Sequence, residues 1–344
     1  MNTPKRDPMR AVVRGTAGVM LLSVLGLALA RSAMKPTLKL YVTNSEGDTI
    51  TVIDLEELKV IGDIKVGDHV HGAAIEADGL RLFTTIESEH ALKVIDTASD
   101  RVIETIQLTG RPNQCAVTPN GRFIRVPIRS SDSVDIVDLE RRKVVKTLPV
   151  RMPHNCYNAH NNDHVFVTSM GDHKVNLIDL KTLGYIAEIP VGGVPRPIAV
   201  TRDEKTMFVA LSDLHGFAVV DVARRQVVEK VKLPPPAPGA QPLVPHTLTH
   251  GLELTPDGEE LWVTSMVGDG VYVYDLGTKK LSDKIVTGKA PDWLTFTPDG
   301  KYCCVSNAGT DDCSIIDTRS RREVARLKVG KVPKRLVVAS VPGT

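Results

Sequence analysis

The chain has 344 residues, 43 Lys and Arg against 41 Asp and Glu, and a net charge of +2. Nothing in that balance supplies the concentrated basic surface that phosphate-backbone binding needs. Five cysteines, an odd number, do not make a disulfide framework.

At the N-terminus, Lys5, Arg6, Arg10 and Arg14 precede the apolar run Ala17 to Ala30, which closes on the small-x-small triplet Ala28-Leu29-Ala30. This is the form of a cleaved secretory signal. About fifteen apolar residues fall short of the ~20 that span a bilayer. No twin arginine precedes the run and no cysteine follows it. The expectation is a signal peptide at 1–30 and a mature chain exported to the bacterial periplasm, with no stable membrane span. Cleavage removes four positive charges and one negative, Asp7, so that the net charge changes from +2 to −1.

From residue 38 to 340 one pattern repeats. Its first copy reads Lys39-Leu-Tyr-Val-Thr-Asn44, then Ile50-Thr-Val-Ile-Asp54, then Val60 to Gly67, then a segment closing at Asp78-Gly79. That turn recurs as Asn120-Gly121, Asn162-Asp163, Asp203-Glu204, Asp257-Gly258 and Asp299-Gly300, at separations of 42, 42, 41, 54 and 42 residues. The long interval contains the proline-rich stretch 234–245, which cannot hold a sheet ladder and is predicted as an inserted loop. Apolar and polar residues alternate in short runs separated by turn residues every eight to twelve positions, which predicts four strands per repeat. Seven such repeats predict an all-β, seven-bladed β-propeller with four-stranded blades. The chain begins at a blade's second strand, Leu38 to Thr43, and ends at an inner strand, Arg335 to Ala339. The C-terminal inner strand is therefore expected to join the N-terminal three and close the ring.

Tyr41-Val-Thr-Asn44, the Val-Ile-Asp runs, Val-Gly-x-x-Pro and Pro-Asp-Gly resemble the YVTN family of bacterial β-propellers over roughly residues 38 to 340. The resemblance implies the propeller fold and leaves the function open, because propellers with this repeat serve unrelated roles. A periplasmic member of that family binds single-stranded DNA, which adds this activity as one alternative. Against it, aromatic residues are 4% of the chain and Trp262 and Trp293 are its two tryptophans, so base-stacking platforms are scarce.

The position after the proline of Val-Gly-x-x-Pro begins each inner strand, and across the copies it reads His71, Asn113, His154, Arg196, His250, Asp292 and Lys334. None is apolar. Seven side chains from seven blades are expected to converge at one mouth of the central channel, joined by Arg111, His246, Trp293 and Arg335 from neighbouring positions. Three readings follow. The first is a periplasmic propeller that binds a small ligand or a protein partner at this polar mouth. The cations Arg196, Lys334, Arg335 and Arg111 suit a small anion, with Asn113, Trp293 and His246 beside them. The second is a metal-dependent enzyme, an oxidoreductase, hydrolase or lyase, in which His71, His154 and His250 hold copper, zinc or iron and Asp292 or Glu253 serves as acid or base. The third is the DNA-binding alternative. No nucleophile elbow, phosphate loop or CxxC pair accompanies these residues.

Two further patterns are read as structural. Aspartates close every third strand, at Asp54, Asp96, Asp138, Asp179, Asp221, Asp275 and Asp317, where each is expected to accept hydrogen bonds from its own turn. The cysteines, with Cys303 and Cys304 on opposite faces of one strand, are expected to be buried as small apolar residues.

Overall fold

The structure is a computed structural model and describes Met1, residues 36–160 and residues 163–341; the expected signal peptide lies outside them. Among the described residues, seven antiparallel sheets follow one another in chain order. The alternation of buried and exposed residues in each segment gives every strand a face toward a neighbouring sheet. Blade 1 is made of Thr37–Asn44, Thr49–Asp54 and Lys59–Lys65, with the C-terminal strand Pro333–Val341 as its inner strand. Val341 pairs with Thr37 and Leu336 with Val42 in that junction, so the two ends of the propeller share one sheet.

The other inner strands are Val70–Ile75 in blade 2, Ala116–Val117 in blade 3, Pro153–Asn158 in blade 4, Pro195–Val200 in blade 5, Thr249–Leu254 in blade 6 and Pro291–Phe296 in blade 7. Blade 3 keeps only a two-residue inner strand, with Pro112 bridging separately to Ile128. Blade 6 has a broken outer edge, Lys280–Leu281 and Ile285–Val286, both paired with Gly270–Asp275. The proline-rich stretch 234–245 contains no strand.

The core is divided among the gaps between sheets. One cluster joins Tyr41, Val52 and Ala339 of blade 1 to Leu82, Ile86 and Ile95 of blade 2, and similar clusters fill the following gaps. All five cysteines are free and buried. Cys303 packs with Trp262 on one side of its sheet and Cys304 with Cys313 on the other, the two-faced arrangement expected of adjacent strand residues.

Each strand-ending aspartate accepts a backbone N–H from its own turn, as in Glu57 to Asp54 at 2.9 Å, Ser99 to Asp96 at 2.7 Å, Arg141 to Asp138 at 3.0 Å and Arg224 to Asp221 at 2.8 Å. Asp179, Asp275 and Asp317 do the same. The turn glycines Gly79 and Gly258 have φ values of 74° and 79°, a region that a side chain disfavours. Among the described residues no helix is long and apolar enough to cross a membrane.

Candidate functional site at the channel mouth

The inner strands approach closely enough to restrict side chains on them. A Cβ at Gly72 would lie 2.7 Å from the carbonyl oxygen of Asn113, and one at Gly251 would lie 2.9 Å from that of Asp292. The contact is held by hydroxyls on the second strands. Thr85 Oγ1 accepts from Gly72 N–H at 2.7 Å and donates to the Asn113 carbonyl of the next blade at 2.5 Å. Thr43 links Arg335 N–H at 3.0 Å to the His71 carbonyl at 3.2 Å, and Ser306 links Trp293 N–H at 3.1 Å to the Lys334 carbonyl at 2.6 Å. Thr264 bridges Gly251 and Asp292 in the same way. The threonine of Tyr41-Val-Thr-Asn44 is thus a clip that sets the height of the neighbouring polar residue.

Non-adjacent blades meet at this level. The rings of His154, in blade 4, and His250, in blade 6, lie 5.6 Å apart edge to face, and His250 lies 5.7 Å from Trp293. Arg196 fills the space from blade 5: its Nη1 donates to His154 Nε2 at 2.9 Å, its Nε to Ser212 at 2.6 Å and its Nη2 to Thr247 at 3.1 Å. His250 Nδ1 donates to the Asp292 carbonyl at 3.0 Å and sits 3.3 Å from the Asp292 carboxylate. Arg335 reaches the same carboxylate at 3.4 Å and stacks over Trp293 with its guanidinium carbon 3.8 Å from the ring centre. His71 stands apart from this group, with Nδ1 2.5 Å from the Glu87 carboxylate, which Arg111 also engages at 2.7 Å.

The charges are set by burial and by one another. Burial first, with the cations Lys334 and Arg335 assisting, drives His71 down to about 4 despite the pull of Glu87. Burial drives His250 to about 3, and the pKa of His154 lies well below its ordinary value through burial and the charges of Arg196 and Arg335. All three imidazoles are therefore neutral near pH 7. Burial pushes Asp292 up, but His250, Arg335 and Lys334 outweigh it and hold the carboxyl below its usual range. Burial lowers Arg196 to about 10, still charged at pH 7. Arg335 is 2% exposed, and its Nε and Nη2 have no hydrogen-bond partner among the described residues.

The remaining residues singled out in the sequence fall into three situations. Asn113 is buried in the ring, with Oδ1 accepting from Gln114 N–H at 2.9 Å. Arg111 and His246 are exposed at the rim. His246 lines a cleft of about 530 Å³ beside the inserted loop, with Gln241, Asp213 and Ser212. Glu253 lies further along the same strand as His250, where Thr295 Oγ1 reaches it at 3.4 Å, and burial raises its pKa to about 8. Trp262 is fully buried and offers no face to a base.

Glu87 and Ser212, the partners of His71 and Arg196, are not among the residues singled out in the sequence. The signal for them was available. The residue after each second strand, aligned across the copies, reads Ser45, Glu87, Arg129, Met170, Ser212, Met266 and Ala308, a second polar layer over half the ring.

The donor set does not fit a divalent transition metal. Among the described residues no group of three or more His, Cys, Asp and Glu is arranged to hold one. His154 spends Nε2 on Arg196 and Nδ1 on Asn155, and three cations surround the site, which disfavours a further positive charge.

Solved structures of like fold include a Kuenenia stuttgartiensis hydrazine synthase chain (17% identity, TM-score 0.71, covering 86% of this chain and 99% of that one) and the Pseudomonas aeruginosa periplasmic gluconolactonase PpgL (19%, 0.71, 89% and 99%). At these identities they show the fold alone. Two curated relatives align over shorter stretches. Antigen Lp49 of Leptospira interrogans is 27% identical over 159 residues, 45% of this chain and 32% of that protein. Protein NirF of Stutzerimonas stutzeri is 28% identical over 153 residues, 44% of this chain and 36% of that protein. The alignments span about a third of the length of these relatives. Residues 74–252, more than half of the chain, match the YNCE-like beta-propeller family, in keeping with the seven blades, and the chain belongs to that family.

Proposed function

We propose that the channel mouth binds a small hydroxylated organic acid. The observation that carries this reading is the buried Arg335 guanidinium with two unpartnered nitrogens. A buried cation without full hydrogen bonding is costly, and a bound carboxylate compensates it with forked, charge-assisted bonds. Arg196 and Lys334 stand in the same ring against one carboxylate, Asp292, while Glu87 is already engaged by Arg111. The excess of two positive charges favours an anion. His71 and His250 point their Nδ1–H groups at Glu87 and at the Asp292 carbonyl, which leaves each neutral ring an Nε2 lone pair to accept from a ligand hydroxyl. The segment that follows the inserted loop contributes through Thr247, which holds Arg196, and His246 shares its cleft with Gln241 of the loop. With the export signal read at 1–30, the reading places the protein in the periplasm, where the P. aeruginosa gluconolactonase of like fold is described as residing.

The test is calorimetric and thermal titration of the protein with gluconate, citrate, acetate and inorganic phosphate, and of the Arg196→Gln and Lys334→Gln variants. Gluconate or citrate is expected to raise the melting temperature, and each variant to weaken binding about tenfold, or ~1.4 kcal/mol. Binding that the variants leave unchanged, or no stabilisation by any of these anions at millimolar concentration, removes the proposal. Stoichiometric zinc or copper lost on His71→Ala and His250→Ala would favour the metal reading instead.

A further inference from the structure

One buried position separates blade 3 from the others. The fourth residue from the end of the second strand is Tyr41 in blade 1, Phe83 in blade 2, Phe166 in blade 4, Phe208 in blade 5 and Trp262 in blade 6, each buried against a neighbouring sheet; blade 7 has Cys304. Blade 3 has Arg125. It pairs with Ile136 as Tyr41 pairs with Val52 and Phe83 with Val94, so the positions are equivalent.

Arg125 is 2% exposed, and burial lowers its pKa to about 10. Nη1 donates to Asn158 at 2.9 Å, whereas Nε and Nη2 have no partner among the described residues. A guanidinium in an aromatic slot loses packing and carries unpaired buried donors, two separate costs. It borders a cleft of about 390 Å³ between blades 3 and 4. The cleft includes Thr118 of a first turn and Leu180 of a last turn, both at the ends of strands remote from the channel mouth. Phe123, Val145, Leu180 and Leu183 form apolar walls, and Lys146 and Lys181 add cations. Among the described residues the one carboxylate lining it, Asp138, is already held by Arg122 at 3.0 Å and approached by Arg141 at 3.6 Å.

We propose that this inter-blade cleft is a second binding site, for an amphiphilic anion with an apolar alkyl or aryl body and a carboxylate headgroup. The body lies on Phe123, Val145, Leu180 and Leu183, and the headgroup is drawn to Arg125 with Lys146 and Lys181. The unpaired nitrogens of Arg125 are closed to solvent in this structure, so the headgroup reaches them as rim side chains rotate, a motion that exposed residues make within nanoseconds.

Decanoate, decanol and acetate titrated calorimetrically into the full chain test this. Decanoate is expected to bind at least about tenfold more tightly than either the headgroup or the chain alone. Arg125→Phe, which restores the aromatic of five other blades, is expected to lose about tenfold in decanoate affinity and to melt higher, while Arg196→Gln at the mouth leaves decanoate binding unchanged. Decanoate that binds no better than decanol or acetate, that binds Arg125→Phe as well as the wild type, or that depends on Arg196 overturns the proposal. Should Arg125→Phe fail to fold, Arg125→Met and the double change Lys146→Ala with Lys181→Ala decide by the same comparison.

Discussion

Arg196 donates from Nη1 to Nε2 of His154 at 2.9 Å, so His154 carries its proton on Nδ1, toward Asn155. A residue that reads as a metal ligand in the sequence is, in the fold, the neutral acceptor for a buried arginine. His250 and His71 are neutral for related reasons, each sheltered from water and set among cations.

Neutral buried imidazoles give the protein a stability profile with a definite sign. In the unfolded chain they titrate at the ordinary 6.5, and in the folded chain His71 and His250 titrate at about 4 and about 3, with His154 also well below 6.5. As pH falls below 6.5, the unfolded chain takes up protons that the folded chain refuses, and stability drops down to about pH 3, where His250 at last takes up its own. Glu253 acts the other way. Its folded pKa of about 8 against 4.5 means that stability is lost as pH rises through that interval. Near pH 5 the difference is about two protons, or ~3 kcal/mol per pH unit, and above about pH 7 the slope reverses to about half a proton, or ~0.7 kcal/mol lost per unit. Urea unfolding at a series of pH values should therefore show greatest stability at about pH 7. A flat profile from pH 5 to 7 would contradict the neutral assignment.

The ring of His71, Asn113, His154, Arg196, His250, Asp292 and Lys334 was legible because a repeat fixes position by index: residues at the same place in each copy stand at the same height around the axis. The approach of His154 to His250 followed from that alone. What index does not fix is rotamer and partner. Glu87 captured His71 from a loop of its own blade, and Arg196 captured His154 from the next, so the three histidines did not gather as one donor set. Those choices depend on residues one layer above the ring, Glu87 and Ser212, which the alignment of inner strands does not reach. Arg125 was also visible in the sequence, but only when second strands are compared with one another.

The clip between blades predicts an unusual cost for a conservative change. Thr85→Val preserves shape and β-propensity but strips the hydroxyl that serves Gly72 N–H and the Asn113 carbonyl. Two buried polar groups lose their partner, for a destabilisation of about 2–4 kcal/mol. Ala210 and Pro127 fill the equivalent places in blades 5 and 3, so Ala210→Ser is the control with no buried pair to break. Chemical denaturation decides it: a loss under about 0.5 kcal/mol for Thr85→Val places the clip among ordinary surface effects.

Glu253→Gln separates the carboxyl's charge from its shape. As pH falls toward 4.5 the carboxyl becomes protonated in the unfolded chain as well as in the fold, and the variant should approach the wild type's stability. At pH 8.5 the wild type has been forced to bury a charge or keep a costly proton, and the variant should be more stable by about 4 kcal/mol. Equal stability of the two proteins at pH 8.5 would show that Glu253 ionises freely.

The C-terminal strand carries both architecture and site. Pro333–Val341 is the inner strand of blade 1, paired along Thr37–Asn44, and it supplies Lys334 and Arg335. Its removal exposes a long edge on Thr37–Asn44, uncovers apolar residues of the first inter-blade cluster such as Tyr41 and Val70, and leaves the Asp292 carboxylate buried without Arg335. Each loss alone costs several kcal/mol, comparable with the whole stability of a domain. Deletion of residues 334 to 344 should therefore abolish the cooperative melt, whereas Arg335→Met, which keeps the strand and removes only the cation, should retain cooperativity with a lowered midpoint. Circular dichroism melts of the two proteins separate the roles. A truncated chain that melts like the full one would show that blade 1 stands on three strands and that the junction is dispensable.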